Sequence, residues 1–278
     1  MVYQFQNQRR FAAMGGTYGN VPALKACIED ARNQQCEVLA FLGDAIGYCG
    51  HSDEIVDLIR DQFDILVAGN YEQQAAAGLI TCGCGYASEE DERIGGLIFE
   101  RALACLSTSN RKWLGTWPDT AVIESVAGPI LLCHGSPGQT NEFLYESELD
   151  DQRLLNWLDQ HQAVGFICTH SGLPWIRHLP GGRFAANCGV VGKSDHDADP
   201  AVHYAMVTVE KASVQEVTIQ RVEYEYHNWA DTLECEGIDP VFIEPLRTGI
   251  WTSGLTSLPT VERNRYLINS APDTGPVS

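Results

Sequence analysis

Residues 11–72 read FAAMGGTYGNVPALKACIEDARNQQCEVLAFLGDAIGYCGHSDEIVDLIRDQFDILVAGNYE. Short apolar runs alternate in this segment with helical patterns, the runs at 11–14, 38–42 and 65–67 and the patterns at 21–32 and 55–62. In the first helical pattern the apolar residues recur at i, i+3, i+4 and i+7, so one face of the helix can be buried. The alternation predicts a βαβαβ unit and hence an α/β protein.

Polar side chains follow the predicted strands at the points where the strands end. Asp44 and Asn70 lie in the glycine-containing loops after the second and third strands of this unit. Two later predicted strands, at 130–133 and 164–168, lead into His134 and His170. Ligands of open α/β sheets collect outside the carboxyl ends of the strands, so we expect the four side chains to meet. They form a mixed nitrogen and oxygen ligand set that suits Zn, Fe or Mn.

The chain resembles the calcineurin-like metallophosphoesterases, in the order and spacing of its motifs, over roughly Phe11 to Tyr226. The matching blocks are Gly16-Thr17-Tyr18-Gly19-Asn20, Gly43-Asp44-Ala45-Ile46-Gly47, Gly69-Asn70-Tyr71-Glu72, His134-Gly135 and Thr169-His170-Ser171-Gly172. Further stretches, such as His134-Gly135-Ser136-Pro137, look like the bacterial branch of phosphodiesterases and protein-phosphatase-like enzymes. The resemblance implies a four-layer α/β/β/α sandwich of two mixed sheets flanked by helices.

The departures from the family pattern all affect one of its two metal sites. The ligands specific to the first metal are replaced by Gly16, Tyr18 and Gly172. The second site is complete, and the resemblance gives it the ligands Asp44, Asn70, His134 and His170. Random decay would scatter losses over both sites, so the pattern favours a retained single-metal site. The alternative is that the four residues survive for structural reasons in a protein-binding scaffold.

The resemblance also implies roles in substrate turnover. Tyr71 stands where the family has its general acid histidine, and its phenol can donate a proton or a hydrogen bond. Tyr18 and Tyr71 can equally fill the volume that the first metal and its ligands vacated. Substrate contacts are expected at Asn20, which ends the first block, and at His196, in a loop where relatives carry phosphate-contacting residues.

Composition limits the partners. The net charge is −19 and the pI is about 4.6, which repels nucleic acid in bulk and anionic membrane surfaces. A phosphorylated substrate therefore needs a local cation. No apolar run has the length of a signal peptide core or a membrane span, so a cytoplasmic location is expected. The ten cysteines show no framework spacing, and we expect them to be reduced.

The predicted organisation is a metallophosphoesterase-like domain at 9–226, with a helical cap or lid at 74–117, and a C-terminal helical extension at 227–278. Strand-like alternation at 202–209 and 214–225 suggests a second sheet that closes a sandwich. The last residues, 270–278, are rich in Pro, Gly, Ser and Asp and are expected to be disordered.

These features favour a metal-dependent phosphoesterase with one divalent transition metal, Mn, Fe or Zn, and altered or reduced hydrolytic activity. Its substrate would be a small phosphorylated compound or a phosphodiester. The alternative is a catalytically inactive pseudoenzyme that binds a ligand or a protein partner. Non-hydrolytic chemistry at an iron centre is a third possibility that the ligand set does not forbid.

Overall fold

Two mixed sheets stack face to face in the computed structural model, which describes residues 1–5 and 9–267. The strands are β1 Val2–Phe5, β2 Arg10–Met14, β3 Val38–Phe41, β4 Ile65–Leu66, β5 Thr120–Ser125, β6 Gly128–Cys133, β7 Gly165–Cys168, β8 Trp175–Leu179, β9 Arg183–Asn187, β10 Val202–Glu210 and β11 Ser213–Val222. The helices are α1 Val21–Asn33, α2 Ser52–Gln62, α3 Asn70–Ala77, α4 Glu89–Ala104, α5 Thr108–Leu114, α6 Asp151–Gln160, α7 Tyr226–Cys235, α8 Pro240–Thr248 and α9 Thr260–Arg263.

The first sheet has the strand order β11-β10-β2-β3-β4. Its strands β2, β3 and β4 pair in parallel and are joined by α1 and α2, which confirms the predicted βαβαβ unit. The second sheet has the order β1-β5-β6-β7-β9-β8, in which β6, β7 and β9 are parallel neighbours. The carboxyl ends of β3, β4, β6 and β7 supply the loops that carry the predicted polar side chains.

Side-chain alternation explains the layers. On β2, Phe11 and Ala13 point into a core shared with the second sheet, whereas Ala12 and Met14 point into a core shared with the helices. The second sheet likewise buries Leu131 on its outer face against Leu154 of α6. Three apolar cores thus separate four layers, and the predicted α/β/β/α sandwich is confirmed.

Part of the predicted strand arrangement is wrong. The strands at 202–210 and 213–222 do not begin a second sheet, because β10 pairs antiparallel with β2 and so extends the first one. The second sheet is built instead from strands in the middle of the chain and from β1. The expected disorder at 270–278 falls outside the described residues.

The segment after β11 packs back onto the main body. α7 and α8 bury Trp229, Leu233 and Leu246 against Tyr48 and Cys49. No helix among the residues that the structure describes is long and apolar enough to cross a membrane.

The tail is also tied to α4. There the carboxylate of Asp91 accepts the Gly254 N–H at 3.1 Å and the hydroxyls of Thr256 and Ser257. These bonds fasten the chain around residues 254–257 to the helix predicted as part of a lid.

Candidate metal centre

The four predicted ligands lie together at the carboxyl edge of both sheets. Asp44 follows β3, Asn70 is the first residue of α3, His134 follows β6 and His170 follows β7. All four are buried. The ligand atoms of Asp44, His134 and His170 lie within 4.8 Å of one another, so this group can hold a metal ion.

The two histidines are oriented by backbone carbonyls. His134 Nδ1 lies 2.5 Å from the carbonyl oxygen of Leu42, and His170 Nε2 lies 3.2 Å from that of Cys84. A carbonyl can only accept a hydrogen bond, so these two nitrogens carry the ring protons. His134 Nε2 and His170 Nδ1 are then lone-pair donors that face each other at 3.1 Å. Two lone pairs at this distance repel unless a metal ion or a proton on one of the nitrogens lies between them, and carbonyl-oriented rings of this kind are usual around protein metals.

Asn70 supplies independent evidence for a cation. Its Nδ2 donates to the Cys82 carbonyl at 2.8 Å. Its Oδ1 is buried and has no hydrogen-bond partner within the described part of the chain. A buried oxygen without a donor costs about 1–3 kcal/mol, and a metal would satisfy it. The residues present therefore fit a divalent metal.

Burial and mutual charge interactions shift the pKa values of His134, His170 and Asp44. Burial opposes a charged His134, but the Asp44 carboxylate, 3.3 Å from its Nε2, outweighs burial and raises the pKa of His134. Burial, followed by the charge of His134, lowers the pKa of His170 to about 3. Asp44 loses its hydration on burial, yet the neighbouring histidines lower its pKa overall.

The loops pack closely enough to require glycine. A Cβ on Gly69 would lie 2.4 Å from Asp44 Oδ1, and one on Gly43, where φ is +92°, would lie 2.2 Å from the Gly69 nitrogen. Asp44 and His170 themselves adopt left-handed backbone conformations, with φ of 60° and 56°. Such strain in residues other than glycine is concentrated at functional sites.

Glu72 fixes the loops that carry two of the ligands, a role that the motif alone did not reveal. Its Oε2 accepts the N–H groups of Asp44 and Gly69, both at 2.8 Å, and its Oε1 accepts that of Ala45 at 2.9 Å. Burial, and then the Asp44 carboxylate, raise the pKa of Glu72. The side chain thus joins the second and third motif loops without facing the cavity.

Replacing Glu72 by Gln is expected to destabilise the fold by about 1–3 kcal/mol, because the amide NH₂ would face a buried N–H donor. Metal affinity should also fall, by roughly 10- to 100-fold, as for other groups that orient metal ligands. Urea unfolding and metal titration measure the two effects. Glu89→Gln, at an exposed position of α4, is the matched control, and equal behaviour of the two variants would contradict the assigned role.

Other side chains pack around the positions at which the resemblance places the ligands specific to the first metal. A Cβ on Gly16 would lie 2.4 Å from Val190 Cγ1, and one on Gly172 would lie 3.1 Å from Trp251 Cη2. Tyr18 packs against Tyr71, with ring centroids 6.3 Å apart. This agrees with the interpretation that apolar and aromatic groups occupy the space around these positions.

A cavity opens beside the metal-ligand group and contains Asp44, His170 and Tyr71 in its lining. Eight of the described residues that line it form an aromatic wall, namely Tyr18, Tyr48, Tyr71, Tyr86, Phe143, Tyr145, Phe242 and Trp251. Burial raises the pKa of Tyr71 well above its usual value, so its phenol stays protonated and can donate a hydrogen bond. Residues 241–258 of the C-terminal segment close one side, which sequence reasoning did not foresee.

The two predicted substrate contacts, Asn20 and His196, have partners inside the protein. Asn20 caps α1 through an Oδ1 contact with the Ala23 N–H, and its Nδ2 donates to the Gly192 carbonyl and to the Tyr224 hydroxyl. Neither Asn20 nor His196 is among the residues that line the cavity.

His196 is held by the C-terminal segment. Its Nδ1 accepts the Trp251 N–H at 2.8 Å and its Nε2 lies 2.9 Å from the Arg263 carbonyl. Both ring nitrogens are therefore used to position the chain.

The cysteines are not all reduced as expected, because Cys82 and Cys84 form a disulfide. The other eight are free thiols. The carbonyls of the paired residues accept hydrogen bonds from Asn70 and His170, so the loop that contains them orients two of the predicted ligands.

Comparison with known proteins supports the fold. No family model matches the chain. An uncharacterized protein of Methanocaldococcus jannaschii is 24% identical over 172 residues, which cover 58% of this chain and 65% of that protein. The alignment thus spans less than two thirds of the length of this curated relative.

Solved structures match over most of the chain. A metallophosphoesterase from Sphaerobacter thermophilus superposes with a TM-score of 0.68 at 21% identity, and the match covers 88% of this chain and 100% of that one. A hypothetical protein from Pyrococcus horikoshii gives a TM-score of 0.68 at 17% identity, with 90% and 100% covered. The chain has the calcineurin-like metallophosphoesterase fold, which confirms the resemblance inferred from the motifs.

Proposed function

We propose that the protein is a mononuclear, metal-dependent phosphoesterase that hydrolyses small phosphate esters. The observation that carries this proposal is the convergence of His134 Nε2, His170 Nδ1 and the Asp44 carboxylate beside a buried, unpaired Asn70 oxygen. These four residues are the ligands we assign, and a bound Mn, Fe or Zn ion would polarise a phosphoryl oxygen and acidify a water molecule. With one ion, attacking and leaving oxygens are not clamped between two metals, so the rate should be lower than in two-metal relatives.

The chain's own residues supply orientation and a proton donor. Tyr71 lines the cavity with Asp44 and His170, and its hydroxyl forms no hydrogen bond within the residues described. We assign it a hydrogen bond to the phosphoryl or leaving-group oxygen. Because its pKa is raised, it is a hydrogen-bond donor rather than an efficient general acid at neutral pH.

The aromatic wall guides the choice of substrate for a test. Flat rings pack well against tyrosine and tryptophan side chains, so p-nitrophenyl phosphate and bis(p-nitrophenyl) phosphate are suitable probes. The protein is expected to hydrolyse at least one of them with Mn, Fe or Zn, and to lose the activity on treatment with a chelator. Activity that survives complete metal removal would contradict the proposal, and no turnover with any of the metals would favour a binding scaffold.

Tyr71→Phe is expected to lower kcat by roughly 10- to 100-fold while metal content stays unchanged, since one hydrogen bond to a charged oxygen is lost. Tyr226→Phe, on α7 and absent from the cavity lining, is the control and should change kcat little. If Tyr71→Phe keeps full activity, the tyrosine only fills space.

A further inference from the structure

The loop after β9 carries a cation into the aromatic cavity. Among the described residues that line the cavity, Lys193 is the only lysine or arginine, and it shares the lining with Asp44 and His170. The protein as a whole has a net charge of −19. A phosphate ester that enters the cavity therefore meets one amine that can carry a positive charge in an otherwise repulsive field.

No carboxylate among residues 1–5 and 9–267 forms an ion pair with the ammonium of Lys193. Its Nζ lies 3.4 Å from the centroid of the Trp251 ring, and within the described residues it forms no ion pair or hydrogen bond. The nearby Asp91 carboxylate is occupied by Gly254, Thr256 and Ser257. The three N–H donors of the ammonium are thus available to an oxygen ligand.

Backbone hydrogen bonds fix the loop next to the first motif block. The N–H of Val191 donates to the Gly15 carbonyl at 2.8 Å, and that of Gly192 donates to the Gly16 carbonyl at 2.7 Å. The Tyr48 hydroxyl donates to the Gly192 carbonyl at 2.6 Å. Lys193 is therefore anchored beside Gly16, the position at which the resemblance places a lost ligand of the first metal.

We propose that Lys193 is a substrate-binding residue whose ammonium donates to a phosphoryl oxygen and supplies the second positive charge that the missing metal no longer provides. This inference rests on the proposed phosphoesterase function and extends it to a residue outside the five motif blocks. Trp251 holds the ammonium in place by a cation–π contact.

In the protein without ligand, burial disfavours the charged form of Lys193. Burial lowers the pKa of Lys193 to about 7, because the cavity offers little compensation for its charge. A bound phosphate would supply that compensation and raise the pKa again. Phosphate binding near neutral pH is therefore coupled to proton uptake.

The test uses the metal-loaded protein and inorganic phosphate, with the dissociation constant measured by calorimetry and kcat/KM measured for p-nitrophenyl phosphate. Lys193→Met and Lys193→Gln are expected to weaken phosphate binding by about 10- to 100-fold, the effect of one charge-assisted hydrogen bond. Lys193→Arg should retain most of the affinity. Metal content and the unfolding midpoint are measured for each variant, which separates a lost contact from misfolding.

Lys112→Met, at an exposed position of α5, removes the same charge away from the cavity and should bind phosphate as the parent does. Unchanged affinity for phosphate in Lys193→Met and Lys193→Gln would overturn the role of Lys193. Metal-dependent hydrolysis by the parent protein would still support the proposed function in that case. If the parent binds no phosphate, the proposal for Lys193 fails, and the chelator-sensitive hydrolysis assay decides the proposed function separately.

Discussion

Protein purified without added metal is expected to contain about one equivalent of a divalent transition metal, and His134→Ala or His170→Ala to contain almost none. Each substitution removes one of two facing ring nitrogens that lie 3.1 Å apart. The remaining imidazole, the Asp44 carboxylate and the Asn70 oxygen then supply only one nitrogen ligand, so binding should be much weaker. Hydrolysis of aryl phosphates should fall by more than about 10³-fold in either variant, because the loss of the metal removes its Lewis-acid and water-activating effects together.

Elemental analysis measures the metal, and His178→Ala serves as the control. His178 lies on β8, is exposed, and is absent from the cavity lining, so its removal should leave one equivalent bound. Two equivalents in the parent protein would overturn the half-site interpretation. A parent protein without bound metal would favour the scaffold alternative, in which a proton and hydrogen bonds hold the buried group together.

Restoring the family's first-metal ligands is expected to yield no second metal. In the combined variant Gly16→Asp, Tyr18→His and Gly172→His, both new β-carbons meet occupied space, at Val190 and at Trp251. Both glycines also have positive φ, 47° and 77°, where other residues cost roughly 1–2 kcal/mol each. Overpacking adds about 1–3 kcal/mol at each crowded site. We therefore expect an unfolding free energy lower by several kcal/mol and an unchanged metal content.

Gly181→His separates backbone strain from crowding. Gly181 has a φ of 76°, but a β-carbon added there would have no neighbouring heavy atom within 4 Å, so only the strain should appear. Gly172→His alone should cost more than Gly181→His by the energy of overpacking. A second equivalent of metal in the combined variant, at parent stability, would show that the first site was lost by ligand substitution only.

The sequence predicted the structure best in the segment where apolar periodicity and the family motifs occur together. The alternation of residues 11–67 predicted β2, α1, β3, α2 and β4, because each element carries its own apolar periodicity. The gathering of Asp44, Asn70, His134 and His170 followed from the rule that parallel strands present their carboxyl ends to one edge. These conclusions need only the order of elements along the chain.

The errors concern contacts between segments distant in sequence. The apolar pattern of β10 is compatible with either sheet, and only the free edge of β2 decides that it joins the first. The contribution of Trp251 to the cavity depends on how the tail folds back, and that of Lys193 depends on how the loop after β9 docks beside Gly16, neither of which local periodicity determines. The positioning role of Glu72 is hidden because a motif shows its identity but not the three N–H groups that it accepts.

The bonds between Asp91 and residues 254–257 can form only late in protein synthesis, because the partners lie 163 or more positions apart in the sequence. All four proposed metal ligands precede residue 171, so they leave the ribosome before the tail does. The wall that Trp251 provides is added only after a further stretch of translation, which takes several seconds at about 5–20 residues per second. A product terminated before Trp251 would therefore contain all four proposed ligands yet lack part of the cavity wall.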